Sequence, residues 1–334
     1  MSANKYIVSK TPLRISFAGG GSDLPIFFEN SNSYGKVVST SIDKYVYVTV
    51  KSHGEVFKEK IRLNYSSTET VDSVELIKNE IIRCTLKHLN IKDRLYISSI
   101  ADIPHGTGLG SSSAFTVGLL NCLHAYRGDK QLSQYELAEE AVKIELDLVG
   151  SPIGLQDQYG CAIGGFKSLK FIKSSPVVYT KFELSDMTNK AIFRDILLFW
   201  TGDSRSANDI LKDQSDNTNN KIEEIMRMVD LASSLEESIK EDLNSEFLGE
   251  YLRKGWEIKK TLSKKISYSK IDKYYDIAIK NGAIGGKLLG AGGGGFLMLV
   301  VPQHSQKQVI KAMDCFKCIK VSGENSGSRI IVNI

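Results

Sequence analysis

"IPHGTGLGSSSAF", Ile103 to Phe115, ends the strand pattern "RLYISSIADIP" and opens the buried helical pattern "SAFTVGLLNCLHAY". Gly106, Gly108 and Gly110 let the main chain approach a ligand without a Cβ in the way. The helix starting near Ser112 offers unpaired N–H groups and the positive end of its dipole. Three glycines in five positions followed by three serines exceed what a tight turn requires, and a phosphate is the natural guest. A Walker A loop needs Lys and then Ser or Thr after its second glycine, whereas Ser111 follows Gly110. The dinucleotide fingerprint fails because Gly110 falls one residue early, and the H-R-D and D-F-G signatures of a protein kinase do not occur. Without a loop lysine, the charge of the β- and γ-phosphates falls to backbone amides, a metal and basic groups from elsewhere. The Ser112 hydroxyl is a hard oxygen suited to Mg²⁺.

The rest of the chain narrows the class. With 334 residues, 42% of them apolar, it reads as a soluble globular protein of one large or two ordinary domains. Its 43 basic and 39 acidic residues are interspersed, and the longest basic clusters are pairs such as Lys259-Lys260 and Lys264-Lys265. That excludes a dedicated nucleic-acid face but leaves room for a locally basic pocket. "MSANKYIVSKTPLR" lacks a signal-length apolar core, and no stretch approaches the roughly 18 apolar residues that cross a bilayer, so no membrane partner is expected and a cytoplasmic location is the default. Five scattered cysteines make no disulfide framework, the Cys315/Cys318 pair has no second pair to complete a zinc site, and the few histidines give no metal spacing.

Mixed strand and helix patterns fill the first ~180 residues. "KYVYVTVK", Lys44 to Lys51, has the two-residue period of a strand. From Asn217 to about Lys265 glycine nearly disappears and apolar residues recur at helical spacing, as in Leu248, Leu252 and Trp256, predicting two or three amphipathic helices. The acidic stretch "EESIKEDLNSE" reads as a solvated helix face or turn. A helix closed by Asn281-Gly282 precedes "GGKLLGAGGGGFLMLVV", a glycine cluster feeding an apolar strand; a helix near Gln306 to Phe316 and a β-rich end, "RIIVNI", follow. The pattern is α+β, with units expected over residues 1–180 and 181–334.

Three stretches in order, "TPLRISFAGGGSD", "PHGTGLGSSSA" and "KLLGAGGGGF", resemble the three motifs of the GHMP kinases, the family of galactokinase, homoserine kinase, mevalonate kinase and phosphomevalonate kinase. They span Thr11 to Phe296, nearly the whole chain. The resemblance implies an amino-terminal ATP-binding domain with a left-handed β-α-β crossover and a ferredoxin-like carboxy-terminal domain, with the active site between them. It also implies ATP with Mg²⁺, and phosphoryl transfer to a small metabolite.

Carried onto this chain, the second motif places nucleotide contacts at Pro104, Gly106, Thr107, Gly108, Leu109, Gly110, Ser111, Ser112 and Ser113. Phosphoryl transfer further needs in-line placement, charge neutralisation and a destination for the acceptor's proton. "VKIELDLVGSPIGLQDQYGCAIGG" supplies two acids, twelve residues apart, across a Gly/Pro-rich break. In the family a glutamate precedes a catalytic aspartate by about this interval, so Glu145 resembles the Mg²⁺ ligand beside Ser112, and Asp157 the base. The interval is one residue longer than in mevalonate kinase, which keeps Asp147 as a substitute for Glu145. Arg14 resembles the basic residue of the first motif, placed to pair with Asp157 and steady the transferred group.

For the acceptor, Gly20, Gly21, Ser22 and Asp23 are the expected sugar contacts; with Gly19 they stand where galactokinases carry G-E-H-T-D, so simple galactose phosphorylation is disfavoured. Gly292 and Gly293 of the third motif are expected to close over the acceptor. Arg205 in "TGDSRSA" is a candidate for a substrate phosphate, with a surface salt bridge as the alternative. These stretches resemble the branch of sugar kinases that phosphorylates the anomeric hydroxyl. The expected partners are a sugar phosphate and ATP. A free-sugar kinase and a non-catalytic sugar and nucleotide sensor remain alternatives, and assembly as a homodimer is left open.

Overall fold

The computed structural model describes residues 5–30, 33–202, 210, 212–213, 218–241 and 243–334. Its strands are β1 (Tyr6–Ala18), β2 (Gly35–Ser52), β3 (Ile61–Asn64), β4 (Thr68–Val71), β5 (Leu95–Ala101), β6 (Phe166–Phe171), β7 (Val178–Phe182), β8 (Ile196–Trp200), β9 (Gly285–Leu288), β10 (Phe296–Val300), β11 (Lys317–Ile319) and β12 (Arg329–Asn333). In β2 the alternation does what its period requires: Val46, Val48 and Val50 are buried while Tyr45, Tyr47 and Thr49 face outward, half-buried. β1 is buried along almost its whole length, because β2 and β12 flank it and helices cover one face.

One sheet has the order β12-β1-β2-β5-β3-β4, with β6 pairing the amino-terminal half of β2 and carrying β7. Its parallel pair is β3 and β5. The second sheet, β11-β8-β10-β9, is antiparallel throughout, which is the 4-1-3-2 order of a ferredoxin-like unit. The chain passes from the first sheet to the second after β7, but β12 returns to pair with β1, so the tail packs with the amino-terminal unit.

The helices are α1 (Pro25–Phe28), α2 (Glu80–His88), α3 (Ser111–Arg127), α4 (Gln134–Val142), α5 (Gln156–Ile163), α6 (Asp186–Asp195), α7 (Ile222–Glu241), α8 (Ser245–Leu262), α9 (Ser269–Lys280) and α10 (Gln306–Ala312). α4 runs on into a π-helical turn, Lys143–Leu148. α10 is shorter than its sequence suggests, stopping at Ala312. Glu236, expected on a solvated face, is buried and pairs with Lys36 of β2 at 2.6 Å, fastening α7 to the first sheet.

Close helix–sheet approach sets the layers. α3 lies on β1 and β2 where Gly118 is bare: a Cβ there would sit 2.9 Å from Thr11 Oγ1, and Ser9 Oγ donates to the Gly118 carbonyl at 2.8 Å. α8 lies as closely on β9, since a Cβ on Gly285 would meet the Gly249 carbonyl at 2.0 Å. This contact later matters for the site, because α8 and β9 each carry a buried lysine.

His124 ties the helical layer together. Its ring bridges Glu140 (2.6 Å) and Asp129 (2.8 Å), Glu140 also takes His88 of α2 at 3.0 Å, and Arg127 Nε lies 3.2 Å from Asp129. The hydrogen bond to Glu140 raises the His124 pKa, burial opposing it, so the native state holds the proton more tightly than the unfolded chain. The stabilisation is complete below the ordinary histidine value of about 6.5 and fades as pH rises through the higher native value. Wild-type Tm should therefore fall by about 2 °C relative to His124→Gln across that window, as read by thermal melts at a series of pH values. Parallel pH profiles would remove His124 as the staple.

Candidate active site

β1 aims Arg14 across the sheet end at two other elements. Its Nε and Nη2 donate to Asp157 Oδ1 at 2.8 and 2.5 Å, and its Nη1 donates to the Gly108 carbonyl at 2.8 Å. Arg14 is buried, whereas the Asp157 side chain keeps 28% of its exposure. Burial works against the Arg14 charge, but Asp157, Cys161 and Asp23 more than offset it and raise the pKa above the ordinary value. Both bonds fall on Oδ1, and no bond within the described residues occupies Oδ2, so Oδ2 is the oxygen left for an acceptor hydroxyl. Two glycines make room for the arginine: a Cβ on Gly160, one turn after Asp157, or on Gly110 would lie 3.0 or 3.2 Å from Arg14 Cγ.

The phosphate loop holds Gly106, Gly108 and Gly110 at φ of +73°, +82° and +75°, and α3 begins with Gly110 as its cap. No capping side chain covers the first amides, so they open toward the cleft. Gly106, Gly108, Gly110, Ser111, Ser112 and Ser113 line it. The remaining expected contacts serve the loop itself. Leu109 is in the core, Thr107 is buried with its hydroxyl donating to the Pro104 carbonyl at 3.1 Å, and Pro104 is exposed at the loop's start. Thr107 and Leu109 thus offer only main chain.

Glu145 sits on the π-helical turn after α4. Such a turn takes one more residue than an α-helical one, room for an interval one residue longer than expected. Glu145 is buried on the cleft while Asp147 is exposed. Its carboxylate accepts from Ser113 Oγ (2.7 Å), Thr116 Oγ1 (2.9 Å), Ser112 Oγ (3.3 Å) and Gln158 Nε2. Burial raises its pKa, partly offset by these bonds. The oxygen-only pair of Ser112 Oγ and Glu145 Oε1 fits a hard divalent cation once the Ser112 hydroxyl turns its proton away. Among the described residues no group of three metal-ligating side chains exists, so phosphate oxygens and water would complete the shell.

On the other side of Arg14 lies Asp23, 3% exposed. Gly21 N donates to Oδ1 at 2.9 Å and Gln156 Nε2 to Oδ2 at 2.9 Å, and Gly154 must be bare because a Cβ there would lie 1.9 Å from Oδ2. Burial raises the Asp23 pKa against these bonds. Gly20 and Gly21 line the cleft beside it.

Ser22 does not. Its hydroxyl donates to the Gly19 carbonyl at 2.7 Å and accepts from Lys36 N at 2.9 Å, so it is consumed in holding the turn to β2. Gly292 and Gly293 are likewise corrected: Gly293 N donates to the Ile266 carbonyl at 2.8 Å, a Cβ on Gly292 would meet the same residue, and Gly290 and Ala291 form the cleft wall instead. Arg205 lies outside the described residues.

Two cleft residues escape the motifs. Lys259 of α8 and Lys287 of β9 are both buried, Lys259 Nζ donating to the Gly290 carbonyl and Lys287 Nζ to the Ser16 carbonyl at 3.0 Å. Burial first, then Arg14, pushes Lys259 down to about 8; burial, then Lys259 and Arg14, lowers Lys287 well below the ordinary range. A signal existed for Lys259, since Leu248, Leu252 and Trp256 define an apolar stripe that it continues at i+3. Together these groups surround a cleft of about 430 Å³.

Residues 75–165 match the GHMP kinases N terminal domain and residues 236–320 the GHMP kinases C terminal domain. The chain is 29% identical to a D-glycero-alpha-D-manno-heptose 7-phosphate kinase of Campylobacter jejuni, over 92% of this chain and 93% of that one. It is 26% identical to the bifunctional fucokinase/GDP-fucose pyrophosphorylase of Arabidopsis thaliana, over 90% of this chain and 30% of that longer one. A crystal structure described as a D-glycero-D-manno-heptose 1-phosphate kinase from "Bacteriodes thetaiotaomicron" superposes with a TM-score of 0.78 at 22% identity, covering 98% and 99% of the two chains.

The glycine loops are stitched main chain to main chain: a Cβ on Gly108 would lie 2.4 Å from the Leu289 carbonyl oxygen, and Phe296 N donates to the Thr107 carbonyl at 3.2 Å. Gly108→Ala should destabilise the fold by about 1–3 kcal/mol through its left-handed φ and this clash, and weaken nucleotide binding with it. A melt and nucleotide titration matching wild type would refute that packing.

Proposed function

The chain belongs to the GHMP kinase family, ATP-using phosphotransferases with an alcohol acceptor, and from that premise we propose that it phosphorylates the anomeric (C1) hydroxyl of D-glycero-D-manno-heptose 7-phosphate. The product would be the 1,7-bisphosphate, a precursor of nucleotide-activated heptose for bacterial surface glycans. The observation that carries the reading is the Arg14 fork, which holds Asp157 with Oδ2 free beside the phosphate loop. The sugar is supported by the Campylobacter relative's near full-length match and by the departure of Gly19 to Asp23 from the galactokinase pattern.

The acceptor hydroxyl would lie between Asp157 Oδ2 and the γ-phosphorus, with the γ-phosphate against the α3 amides and Arg14. The new O–P bond forms as the bond to the β–γ bridging oxygen breaks; ADP leaves and the hydroxyl proton passes to Oδ2. A loose transition state releases that proton late, so orienting the hydroxyl matters as much as basicity, and an anomeric hydroxyl is more acidic than an ordinary alcohol. Ser112 and Glu145 would hold Mg²⁺, which would neutralise the phosphates as they separate. Asp23, fixed by Gly21 and Gln156, would accept from sugar hydroxyls. We assign residues 1–180 to the nucleotide-binding unit and 181–334 to its partner, with β12 returned to the first. Among the described residues no helix is long and apolar enough to cross a membrane, and the reaction is assigned to the cytoplasm.

An L-fucose or other free-sugar 1-kinase is the second reading, favoured by the Arabidopsis match. A sugar panel with product position read by phosphorus NMR separates them: the heptose phosphate should be preferred, and equal or better turnover of fucose or unphosphorylated heptose would overturn the assignment. Asp157→Asn should still bind ATP yet lose about 10²–10⁴ in kcat, whereas near-normal kcat would end its role as base. Ser112→Ala should raise the Mg²⁺ concentration needed for half-maximal rate; an unchanged requirement would remove it from the metal shell.

A further inference from the structure

The proposed acceptor carries a phosphate that the phosphate loop cannot also hold, and the cleft contains one polar cluster that the transfer step leaves unused. Ser16 lies two residues beyond Arg14 on the same face of β1. Its hydroxyl is buried with no hydrogen-bond partner, although the residue, 4% exposed, lines the cleft. Lys287 donates to its carbonyl and Lys259 lines the same cleft; each is bonded only to a carbonyl, with no ion pair, among the described residues. A buried ammonium without a counter-ion and a buried hydroxyl without a partner are both costly. A ligand that satisfies both is a dianion with several acceptor oxygens.

Position along β1 sets Ser16, and Lys287 bonded to its carbonyl, apart from the phosphate loop, while Lys259, bonded to the Gly290 carbonyl, lies between the two. Arg14 abuts the phosphate loop, its N donating to the Leu109 carbonyl at 3.0 Å. Ser16 is about 6.5 Å further along the strand, toward Gly20, Gly21 and Asp23. Lys287 feels Lys259, Arg14 and Asp23. We propose that Lys287, Lys259 and the Ser16 hydroxyl form a subsite for a phosphate monoester on the acceptor sugar. This rests on the sugar-kinase reading and deepens it, because it makes a phosphorylated sugar the preferred substrate class. The transferred phosphoryl group is the other source of the same chemistry, and the experiment distinguishes the two.

The first measurement is calorimetric titration of the full chain, without nucleotide, with heptose 7-phosphate and with unphosphorylated heptose, at pH 8.5 in two buffers of different ionisation heat. The phosphorylated sugar should bind more tightly and take up protons, since an anion beside the lysines favours their charged forms and the phosphate itself is already fully ionised. Lys259→Met and Lys287→Met should each reduce the uptake and weaken phosphorylated-sugar binding ~30-fold or more. Thermal melts should show both variants folded, since Met fills much of the same buried volume. Ser16→Ala, the gentlest change, should lower only the affinity for the phosphorylated sugar.

The second measurement is kcat/KM for both sugars at saturating ATP. Loss confined to the phosphorylated sugar supports the subsite. Equal losses for both sugars would assign the lysines to the transferred group and overturn it. Equal binding of the two sugars by wild type, or binding untouched in the lysine variants, would overturn it too. Phosphate-dependent binding without turnover would instead sink the kinase reading and leave the subsite standing.

Discussion

The Arg14 guanidinium is the joint on which the cleft depends. Five N–H donors in a rigid plane let one side chain grip Asp157 of α5 and the Gly108 carbonyl of the phosphate loop while its own main chain bonds Leu109. Three segments nearly 150 residues apart are thereby registered to one another. A lysine could supply the charge but not the fork, so the relative placement of Asp157 and the loop would be lost. The surroundings are built around this requirement: Gly110 and Gly160 clear its stem, and Cys161 Sγ reaches the Gly110 carbonyl at 3.5 Å behind it.

A second constraint is backbone contact between the glycine loops. Gly108 against Leu289 and Gly290, and Gly295 against Thr107, bring the first and second sheets' loops to distances no side chain tolerates. Many glycines of the third motif therefore make an interface, while Gly290 alone among them, with Ala291, faces the cleft. The same division holds in the first motif. Gly19, at φ +85° with the Lys36 carbonyl 1.8 Å from where its Cβ would lie, seals the turn, and Gly20, with nothing nearer than 3.8 Å, leaves room for a ligand.

This explains which parts of the site were legible in the sequence. Local periodicity identifies β2, α3, α8 and the strand after the third motif, because each buries one face and its pattern records that face. Motif order identifies Arg14, Asp157 and the phosphate loop, since the chemistry restricts those residue types. Ser22, Gly292 and Gly293 misled because a polar or bare residue inside a functional motif can serve the turn, and only its hydrogen-bond partners reveal this. Glu145, one position further from Asp157 than the family interval, lies on a π-helical turn that composition does not record. Lys287 was silent for another reason: a charged residue in a four-residue strand looks like an edge until β10 and α8 are seen to bury it.

The buried charges also fit together as a resting state. Burial raises the pKa of Asp23 and Glu145 and lowers that of Lys259 and Lys287, so carboxylates and lysines alike are biased toward their neutral forms. Arg14 is the exception, held charged by Asp157. Burying four ionisable groups in one cleft carries a desolvation cost, which bound counter-charges would reduce. A divalent cation would draw Glu145 to its ionised form and phosphate dianions would draw the lysines to theirs. Each ligand would thus add to the stabilisation of a charged form that burial disfavours, and away from bulk water that electrostatic energy is worth more. For both lysines the charged form is the one that burial disfavours and that a bound anion would favour.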